Sequence, residues 1–308
     1  MSFFNKKKIL ATHDGSFHAD DLFACAVMTL YFKKCNQSFN IIRTRNTDLI
    51  NKADYVFDVG GVYDEKTNRF DHHQKDTSGK RSNGILYASF GLAWKHFGME
   101  LCGDDINVWQ QIDESLASPI DAIDNGMDIA KPLHEKVGLF SGSSIFLSYS
   151  PSWKEDEEKI DDIFKEQVKK ASDFLARKIK VALDDQQARK IMNDAYEKSE
   201  DKRIVILENS FPRYLLQDTL SQLAEVLYVV YPSIINHAWK VEAVAKNRDT
   251  MESRKLLPES WRGIFDQDEK IHQVTGVDDA MFCHKAGFLI IAKSKQGALA
   301  LAKKALES

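Results

Sequence analysis

Short apolar runs alternate with longer apolar segments in the first third of the chain. Residues 8–12, 39–44 and 55–57 are short apolar runs next to turn-forming residues, a pattern typical of buried strands. Residues 22–32 and 85–97 are apolar over a length that favours helices. Strands that alternate with helices predict an α/β domain, in which a parallel sheet carries helices on both faces.

The pattern changes after Pro151. Residues 153–198 are rich in charge, and their apolar positions follow one helical stripe: Ile160, Ile163, Phe164, Val168, Ala171, Phe174, Leu175 and Ile179. Residues 203–207, 226–231, 239–245 and 288–292 then predict strands, and 296–306 predicts a closing helix. We therefore expect a larger α/β domain over 1–150, a helical connector over 151–199 and a smaller α+β domain over 200–308.

Composition excludes several classes of protein. The 308 residues carry a net charge of −4, so the chain lacks the basic footprint expected for long duplex nucleic acid. Its four cysteines are scattered and form no Cys-x-x-Cys pair, which fits a reducing compartment. The apolar run after Lys6-Lys7-Lys8 is too short for a signal peptide, and no stretch approaches a membrane span. We expect a soluble cytoplasmic protein with no membrane partner.

The segment Phe70-Asp71-His72-His73-Gln74 is hard to explain by packing alone. A buried imidazole needs a partner for each ring nitrogen, and two adjacent histidines double that demand. The segments from His13 to Asp21 and from Asp58 to Gly61 contain similar combinations of histidine and carboxylate. Any single histidine here could be a surface or capping residue, but the set favours a metal site. Imidazole with carboxylate suits Mn, Fe or Zn, and a carboxylate-rich set favours Mn or Mg.

The order of the predicted strands supports this interpretation. His13 and Asp58 come directly after two of these predicted strands, and the Asp71-His72-His73 triplet follows a further short strand predicted over 66–70. Ligands of open α/β sheets bind outside the carboxyl ends of the strands. Residues far apart in sequence should therefore meet at one edge of the sheet.

Other candidates leave alternatives open. Asp121 and Asp124 precede an Asn-Gly turn, and either one could be a ligand, with Asp124 the first choice. In the smaller domain, Arg262, His284 and Lys285 lie near glycines, where they could bind phosphate or simply pack in loops. No Walker loop, Gly-x-Gly-x-x-Gly or Gly-x-Ser-x-Gly motif is present in the sequence.

A family resemblance covers nearly the whole chain. Asp71-His72-His73 resembles the signature of the DHH phosphoesterase superfamily. A longer series of motifs, in order, resembles the Myg family, the melanocyte-proliferating-gene proteins. The series comprises Thr12-His13, Phe17-His18 with Asp20, Thr44-Arg45, Asp58-Val59-Gly60-Gly61, Tyr63-Asp64, residues 70–74, residues 121–126 and residues 257–263. The resemblance implies a DHH-type domain and a metal-dependent hydrolase, with 3′-to-5′ exonuclease activity on RNA.

The resemblance also implies roles for single residues. It implies six metal ligands, namely His13, His18, Asp20, Asp58, His72 and Asp124. His18 stands near where the superfamily has an aspartate. Asp58 would bridge the metals, and His73 would face the phosphate. His284 resembles the substrate-binding histidine of the superfamily's C-terminal module, with Arg262 and Lys285 as basic neighbours.

These inferences lead to one expected function and two alternatives. We expect a phosphodiesterase with two divalent ions, Mn²⁺ first and Mg²⁺ or Zn²⁺ as alternatives, acting on single-stranded RNA or short oligonucleotides. His73 and Asp58 would act at the reacting phosphate, and a homodimer is an open alternative. A phosphatase acting on small nucleotides or pyrophosphate is the second candidate. A non-catalytic protein that binds metal or nucleotide is the third.

Overall fold

A computed structural model describes residues 6–75, 78–235, 237–250, 252–265 and 270–308. The chain forms two compact units, Met1–Leu183 and Asp184–Ser308.

The first unit is built on a five-stranded sheet with the order β2-β1-β3-β5-β4. Its strands are β1 (Lys8–Thr12), β2 (Phe39–Arg43), β3 (Tyr55–Phe57), β4 (Tyr63–Asp64) and β5 (Arg69–Phe70). The pairs β1–β2, β1–β3 and β3–β5 are parallel, whereas the edge strand β4 runs antiparallel to its neighbour. The carboxyl ends of four strands therefore lie at one edge of the sheet.

Helices pack on both faces of this sheet, as the sequence predicts. The helices of the first unit are α1 (Ala19–Lys34), α2 (Thr47–Lys52), α3 (Ser89–Leu101), α4 (Ile106–Ile112), α5 (Ser118–Asp124), α6 (Gly142–Leu147) and α7 (Ile160–Lys198), which continues into the second unit. Helices α1 and α3 enclose the main core with Phe57, Phe70 and Trp94. On the other face, a small cluster joins Ile50 of α2 to Ala11 and Val56. The predicted α/β class is confirmed.

Two helix boundaries differ from the sequence prediction. The apolar segment 85–97 predicts one helix, but its first residues form a turn in which Arg81 donates its backbone N–H to Ile85, and Lys80 pairs with Leu86. Helix α3 begins only at Ser89. The sequence also predicts a helix over 110–116, but α4 ends at Ile112 and is followed by a π-helical turn, Asp113–Ala117, that leads into α5.

The apolar stripe predicts a long helix or a helix pair, and the structure has one long helix there, α7. Phe164, Val168 and Leu175 are buried in the core of the first unit, whereas Ala188 and Met192 belong to a core of the second. The boundary between the units falls inside this helix. The assignment of 151–199 as a separate connector stays a prediction.

The second unit has its own five-stranded sheet with the order β6-β7-β8-β10-β9. Its strands are β6 (Ile204–Ile206), β7 (Tyr228–Pro232), β8 (Trp239–Ala243), β9 (Ala280–Cys283) and β10 (Leu289–Ala292). Its helices are α8 (Arg213–Leu220), α9 (Lys270–Thr275) and α10 (Lys295–Glu307). Strand β9 and the short helix α8 were not anticipated from the sequence. Within the described residues, no helix is both long and apolar enough to cross a bilayer.

Candidate metal centre

Three of the predicted site segments follow neighbouring strands and converge at the carboxyl edge of the first sheet. His13 follows β1, Asp58 follows β3, and the Asp71-His72-His73 triplet follows β5. Asp58 has a φ of 55° and Gly60 a φ of 97°, so the chain turns sharply where β3 ends. A non-glycine residue in this left-handed region is uncommon and is typical of a functional position.

Asp58 lies between two buried histidines. Its Oδ2 is 3.3 Å from Nε2 of His13, and its Oδ1 is 3.2 Å from Nε2 of His72. Burial alone would raise the pKa of Asp58, but these two imidazoles outweigh burial and lower that pKa below its ordinary value. The carboxylate is therefore ionised, and each of its oxygens faces a different part of the site.

His72 also approaches Asp124, which lies at the end of α5. Its Nε2 is 3.2 Å from Oδ2 of Asp124. Burial lowers the pKa of His72, but Asp124 and Asp58 more than offset this effect and raise the pKa to about 11. Although both carboxylate oxygens are close, the buried Nε2 meets neither of them with hydrogen-bond geometry. A converging set of this kind suits an ion placed between the side chains.

His13 pairs with Asp21, a residue that the sequence prediction missed. Its Nε2 is 3.1 Å from Oδ2 of Asp21, and that oxygen is buried without a hydrogen-bond partner among the described residues. Nδ1 of His13 lies 2.9 Å from the backbone carbonyl oxygen of Asp14, so the Nδ1–H donates there and Nε2 faces the site. Metal-binding histidines have this arrangement. Burial lowers the pKa of His13, but Asp21 and Asp58 raise it to about 10.

The adjacent Asp20 has a second role in the fold. Its two oxygens accept the backbone N–H groups of Ser89 and Phe90, at 3.0 and 2.7 Å, so the carboxylate holds the N-terminus of α3. It also lies in one group with His72 and Asp124. Burial, followed by the charges of Asp58 and Asp124, raises the pKa of Asp20 well above its ordinary value. A nearby cation would reverse that effect.

Asp71 orients the two histidines of the triplet. Its Oδ1 accepts the backbone N–H groups of His72 and His73 and lies 2.7 Å from Nδ1 of His73, while Oδ2 accepts the N–H of Gly61. The His73 side chain is 61% exposed, whereas that of His72 is only 7% exposed. The buried histidine therefore faces the carboxylates, and the exposed histidine faces the solvent side.

His18 lies at the margin of the centre. It is the exposed N-cap residue of α1, and its ring centroid is 6.0 Å from that of His13. It lines a cavity of about 740 Å³ together with His13, Asp58, His73 and Asp124. Within the described residues, His18 belongs to none of the groups whose ligand atoms lie within 4.8 Å of one another.

The geometry separates the two aspartates of α5 that the sequence left as alternatives. Asp121 is fully buried, and its oxygens accept from Arg81 at 2.7 Å and from the backbone N–H of Gly91 at 2.9 Å. Arg81 also forms two hydrogen bonds to Asp113. Asp121 therefore belongs to a structural ion-pair network, while Asp124 faces His72.

Three overlapping groups of side chains could hold metal: Asp58 with His72 and His73, His13 with Asp21 and Asp58, and Asp20 with His72 and Asp124. Asp58 is shared by the first two groups, and His72 by the first and third. Two of the buried polar atoms that lack a hydrogen-bond partner among the described residues, Oδ2 of Asp21 and Nε2 of His72, lie in these groups. Mixed oxygen and imidazole ligands suit a divalent ion such as Mn²⁺, Fe²⁺ or Zn²⁺. The residues present therefore fit a divalent metal.

In the second unit, the two basic loops singled out from the sequence are neighbours. The backbone N–H of Gly263 donates to Cys283, and that of Leu257 donates to Gly287. Arg262 donates two N–H groups to the carbonyl of Leu257, so part of its guanidinium holds the loop together. Nδ1 of His284 accepts the N–H of Ala286, which leaves Nε2 as the protonated nitrogen of a neutral ring.

The sequence and the structure can be compared with known proteins. A family model for MYG1 exonucleases, described as "Uncharacterised protein family (UPF0160)", matches residues 9–306. The MYG1 protein of Schizosaccharomyces pombe is 32% identical, over 97% of this chain and 97% of its own. The human MYG1 exonuclease is 28% identical, over 96% of this chain and 85% of its own.

Similarity to solved structures is much lower. RecJ in complex with Mn²⁺ from Thermus thermophilus matches with a TM-score of 0.29 and 9% identity, over 98% of this chain and 53% of that chain. Such a similarity is too low to bear on the site. The family match, by contrast, spans almost every described element, and the order of motifs in the sequence predicts the same family. The chain belongs to the MYG1 family and is a hydrolytic enzyme.

Proposed function

We propose that the protein is a metal-dependent phosphodiesterase that removes nucleotides from the 3′ end of single-stranded RNA or short oligonucleotides. The observation that carries this proposal is the central position of Asp58, which faces His13 with one oxygen and His72 with the other. A carboxylate shared in this way suits two ions held side by side. The name of the human relative, an exonuclease, supports the same reaction class.

The roles of the side chains follow from their positions. His13, Asp20, Asp58, His72 and Asp124 would hold the ions, with Asp21 as an additional ligand and His18 contributing from the margin of the cavity. When bound, the ions would polarise the scissile phosphate and activate the attacking water. His73 would contact the phosphate through Nε2, because Nδ1 is occupied by Asp71. In the smaller domain proposed over 200–308, His284, Arg262 and Lys285 would bind the nucleotide chain.

Mn²⁺ is the ion we propose, because carboxylates make up most of the candidate ligands. Mg²⁺ prefers oxygen ligands. The buried imidazoles of His13 and His72 offer nitrogen ligands, so this site is less suited to Mg²⁺ than to Mn²⁺. Zn²⁺ accepts imidazole equally well, and metal analysis of the purified protein distinguishes it from Mn²⁺.

One experiment tests the reaction and its substrate. The purified protein is incubated with Mn²⁺ and a panel of 3′- or 5′-labelled RNA, labelled DNA, dinucleotides and pyrophosphate. Release of the 3′ label in the first cleavage and stepwise shortening of the 5′-labelled RNA, both abolished in Asp58→Asn, are the expected result. Turnover of pyrophosphate alone would favour the phosphatase. If the wild type turns over nothing but binds metal, the protein is a metal-binding protein without this activity.

A further inference from the structure

The second unit carries a line of aromatic rings, of which the assignments above give a role only to His284. Phe265 lies 4.9 Å from Phe282, Phe282 lies 6.2 Å from His284, and His284 lies 4.5 Å from Phe288, measured between ring centroids. The guanidinium of Arg213 lies 5.1 Å from the ring centre of Phe288, at the end of the line. We call these five side chains the aromatic strip.

Within the strip, Phe282 lies on a strand of the second sheet, Phe265 is bridged to it, and His284 and Phe288 lie on the β9–β10 turn. On β9, Cys283 is buried in the core, whereas its neighbour Phe282 pairs with Ile291 and is half-buried on the opposite face. Lys240 of β8 lies beside Ile291 on that same face. The core of the unit, with α10 and α9, covers the face that carries Cys283 and Ile290.

Exposure distinguishes the strip from an ordinary packing cluster. Phe265 remains 59% exposed at its end of the line, and the rings of Phe282, His284 and Phe288 are half-buried. Phenylalanines that serve only a core are buried far more completely, as Phe23 and Phe90 are in the first unit. A row of partly exposed rings is a surface on which flat, apolar groups can stack.

The charges around the strip favour an anionic ligand. Arg213 is part of the strip, Lys285 is exposed on its turn, and Lys240 lies on the same sheet face. The acidic side chain next to Arg213 is Glu242, which is buried and already accepts from Arg213, Gln217 and Tyr231. Cations interleaved with aromatic rings are the arrangement that binds the bases and backbone of single strands.

We infer that the aromatic strip is a stacking platform for the bases of a single-stranded nucleic acid. This inference deepens the proposed function, on which its biological meaning rests, because it assigns single-strand recognition to Phe265, Phe282 and Phe288. Stacking needs unpaired bases, so the platform accepts a single strand and rejects a duplex. It also tolerates any base sequence, because every base has a flat face.

Binding is measured by fluorescence anisotropy with the full-length protein in EDTA, where hydrolysis is suppressed. The probes are labelled ten-nucleotide oligoadenylate, oligouridylate and a duplex of the same length. The variants are Phe265→Ala and Phe282→Leu, which remove a ring, and Phe265→Trp and Phe282→Tyr, which retain one. Phe140→Ala removes a phenylalanine that is 81% exposed in the first unit, and it serves as the control.

The two ring-removing variants are expected to bind oligoadenylate about 5- to 150-fold more weakly, the range of one lost base–aromatic stack. The ring-retaining variants and Phe140→Ala should bind like the wild type. Unchanged binding by both ring-removing variants would overturn the inference, and so would equal affinity of the wild type for single strand and duplex. The wild type is assayed in parallel with Mn²⁺ on the same probe. Single-strand binding without hydrolysis would contradict the proposed function alone.

Discussion

At the scale of single residues, Asp58 contacts two buried histidines through its two oxygens. Its backbone is left-handed at the end of β3, with a φ of 55°. Removing a buried charge from such a position leaves the partner groups unsatisfied. The metal centre should therefore be more sensitive to this carboxylate than to any exposed acidic residue nearby in sequence.

Asp58→Asn should lower the bound metal well below that of the wild type, because the amide retains the shape of the side chain but loses its charge. Elemental analysis of protein dialysed against Mn²⁺ measures the change. Asp162→Asn, which alters a carboxylate that is 89% exposed, is the matched control. Equal metal content in Asp58→Asn and the wild type would contradict the shared-ligand role.

Gly91 is a second residue with a specific requirement. A Cβ at this position would lie 1.7 Å from Oδ2 of Asp121 and 2.6 Å from Nη2 of Arg81. Gly91→Ala should therefore destabilise the first unit by about 1–3 kcal/mol, the cost of overpacking. This change is expected even though alanine favours a helix by up to about 1 kcal/mol.

Urea denaturation measures the effect. Gly142→Ala is the control, because a Cβ at that helical position meets nothing within 4 Å. A Gly91→Ala protein as stable as Gly142→Ala would show that the Arg81–Asp121 pair can move aside at little cost.

At the scale of elements, the turn after β5 orients two adjacent histidine side chains in different directions. Asp71 holds both backbone N–H groups and the ring of His73, so His72 faces inward and His73 outward. The N-terminus of α3 is held by Asp20 in a comparable way. Short polar anchors at element ends thus set the direction of the candidate ligands.

His73→Ala should retain its metal and lose about 10²- to 10³-fold in turnover, the usual effect of removing one charge-stabilising donor. His72→Ala should instead lose metal, because the buried ring faces Asp58 and Asp124. Metal content and turnover of Mn²⁺-loaded protein are measured for both variants. Loss of metal from His73→Ala with retention in His72→Ala would reverse the two roles.

At the scale of the whole molecule, burial and neighbouring carboxylates together set the protonation of the histidines in the candidate metal centre. Asp58 is ionised, and His13 and His72 have pKa values raised to about 10 and 11. These histidines stabilise the metal-free fold most below pH 6.5, their ordinary pKa, and that contribution is lost as pH rises through their raised pKa values. An ion must displace these protons, since metal-bound imidazole is neutral.

Mn²⁺ affinity should therefore rise with pH between about 6 and 8, by about tenfold per unit for each proton displaced. Titration calorimetry at several pH values, in buffers with different heats of ionisation, measures both affinity and proton release. At a limiting Mn²⁺ concentration, activity should fall in parallel as the pH is lowered through this range. Affinity that does not change across this range, with no proton released, would contradict the placement of both histidines as ligands.

The second unit offers a test at the same scale. Arg262→Ala and His284→Ala are assayed on a dinucleotide and on an oligonucleotide of about 10 residues, a length within known single-strand site sizes. If these residues bind the nucleotide chain away from the scissile bond, the KM for the longer strand is expected to rise and the KM for the dinucleotide to stay unchanged. Equal losses on both would place them at the scissile phosphate, and no loss on either would favour the small-nucleotide phosphatase.

The sequence alone was sufficient for the family, the α/β class and the edge of the sheet where the candidate ligands meet. The physical reason is that parallel strands have their carboxyl ends on one side, so residues that follow them converge whatever the loop lengths. His13, Asp58 and His72 could be placed together for this reason. The helical conformation of α7 could also be predicted, because the spacing of apolar residues along a helix is a local property of the sequence.

Only the tertiary structure decided which neighbouring carboxylate faces the centre. Asp20 and Asp21 are adjacent, yet Asp20 caps the N-terminus of α3 and Asp21 contacts His13. Asp121 is hydrogen-bonded to Arg81, a residue 40 positions away in the sequence. The aromatic strip likewise joins residues from α8, β9 and the turn before β10. Side-chain direction and partners remote in sequence determine these assignments, and neither property is contained in a local pattern of residues.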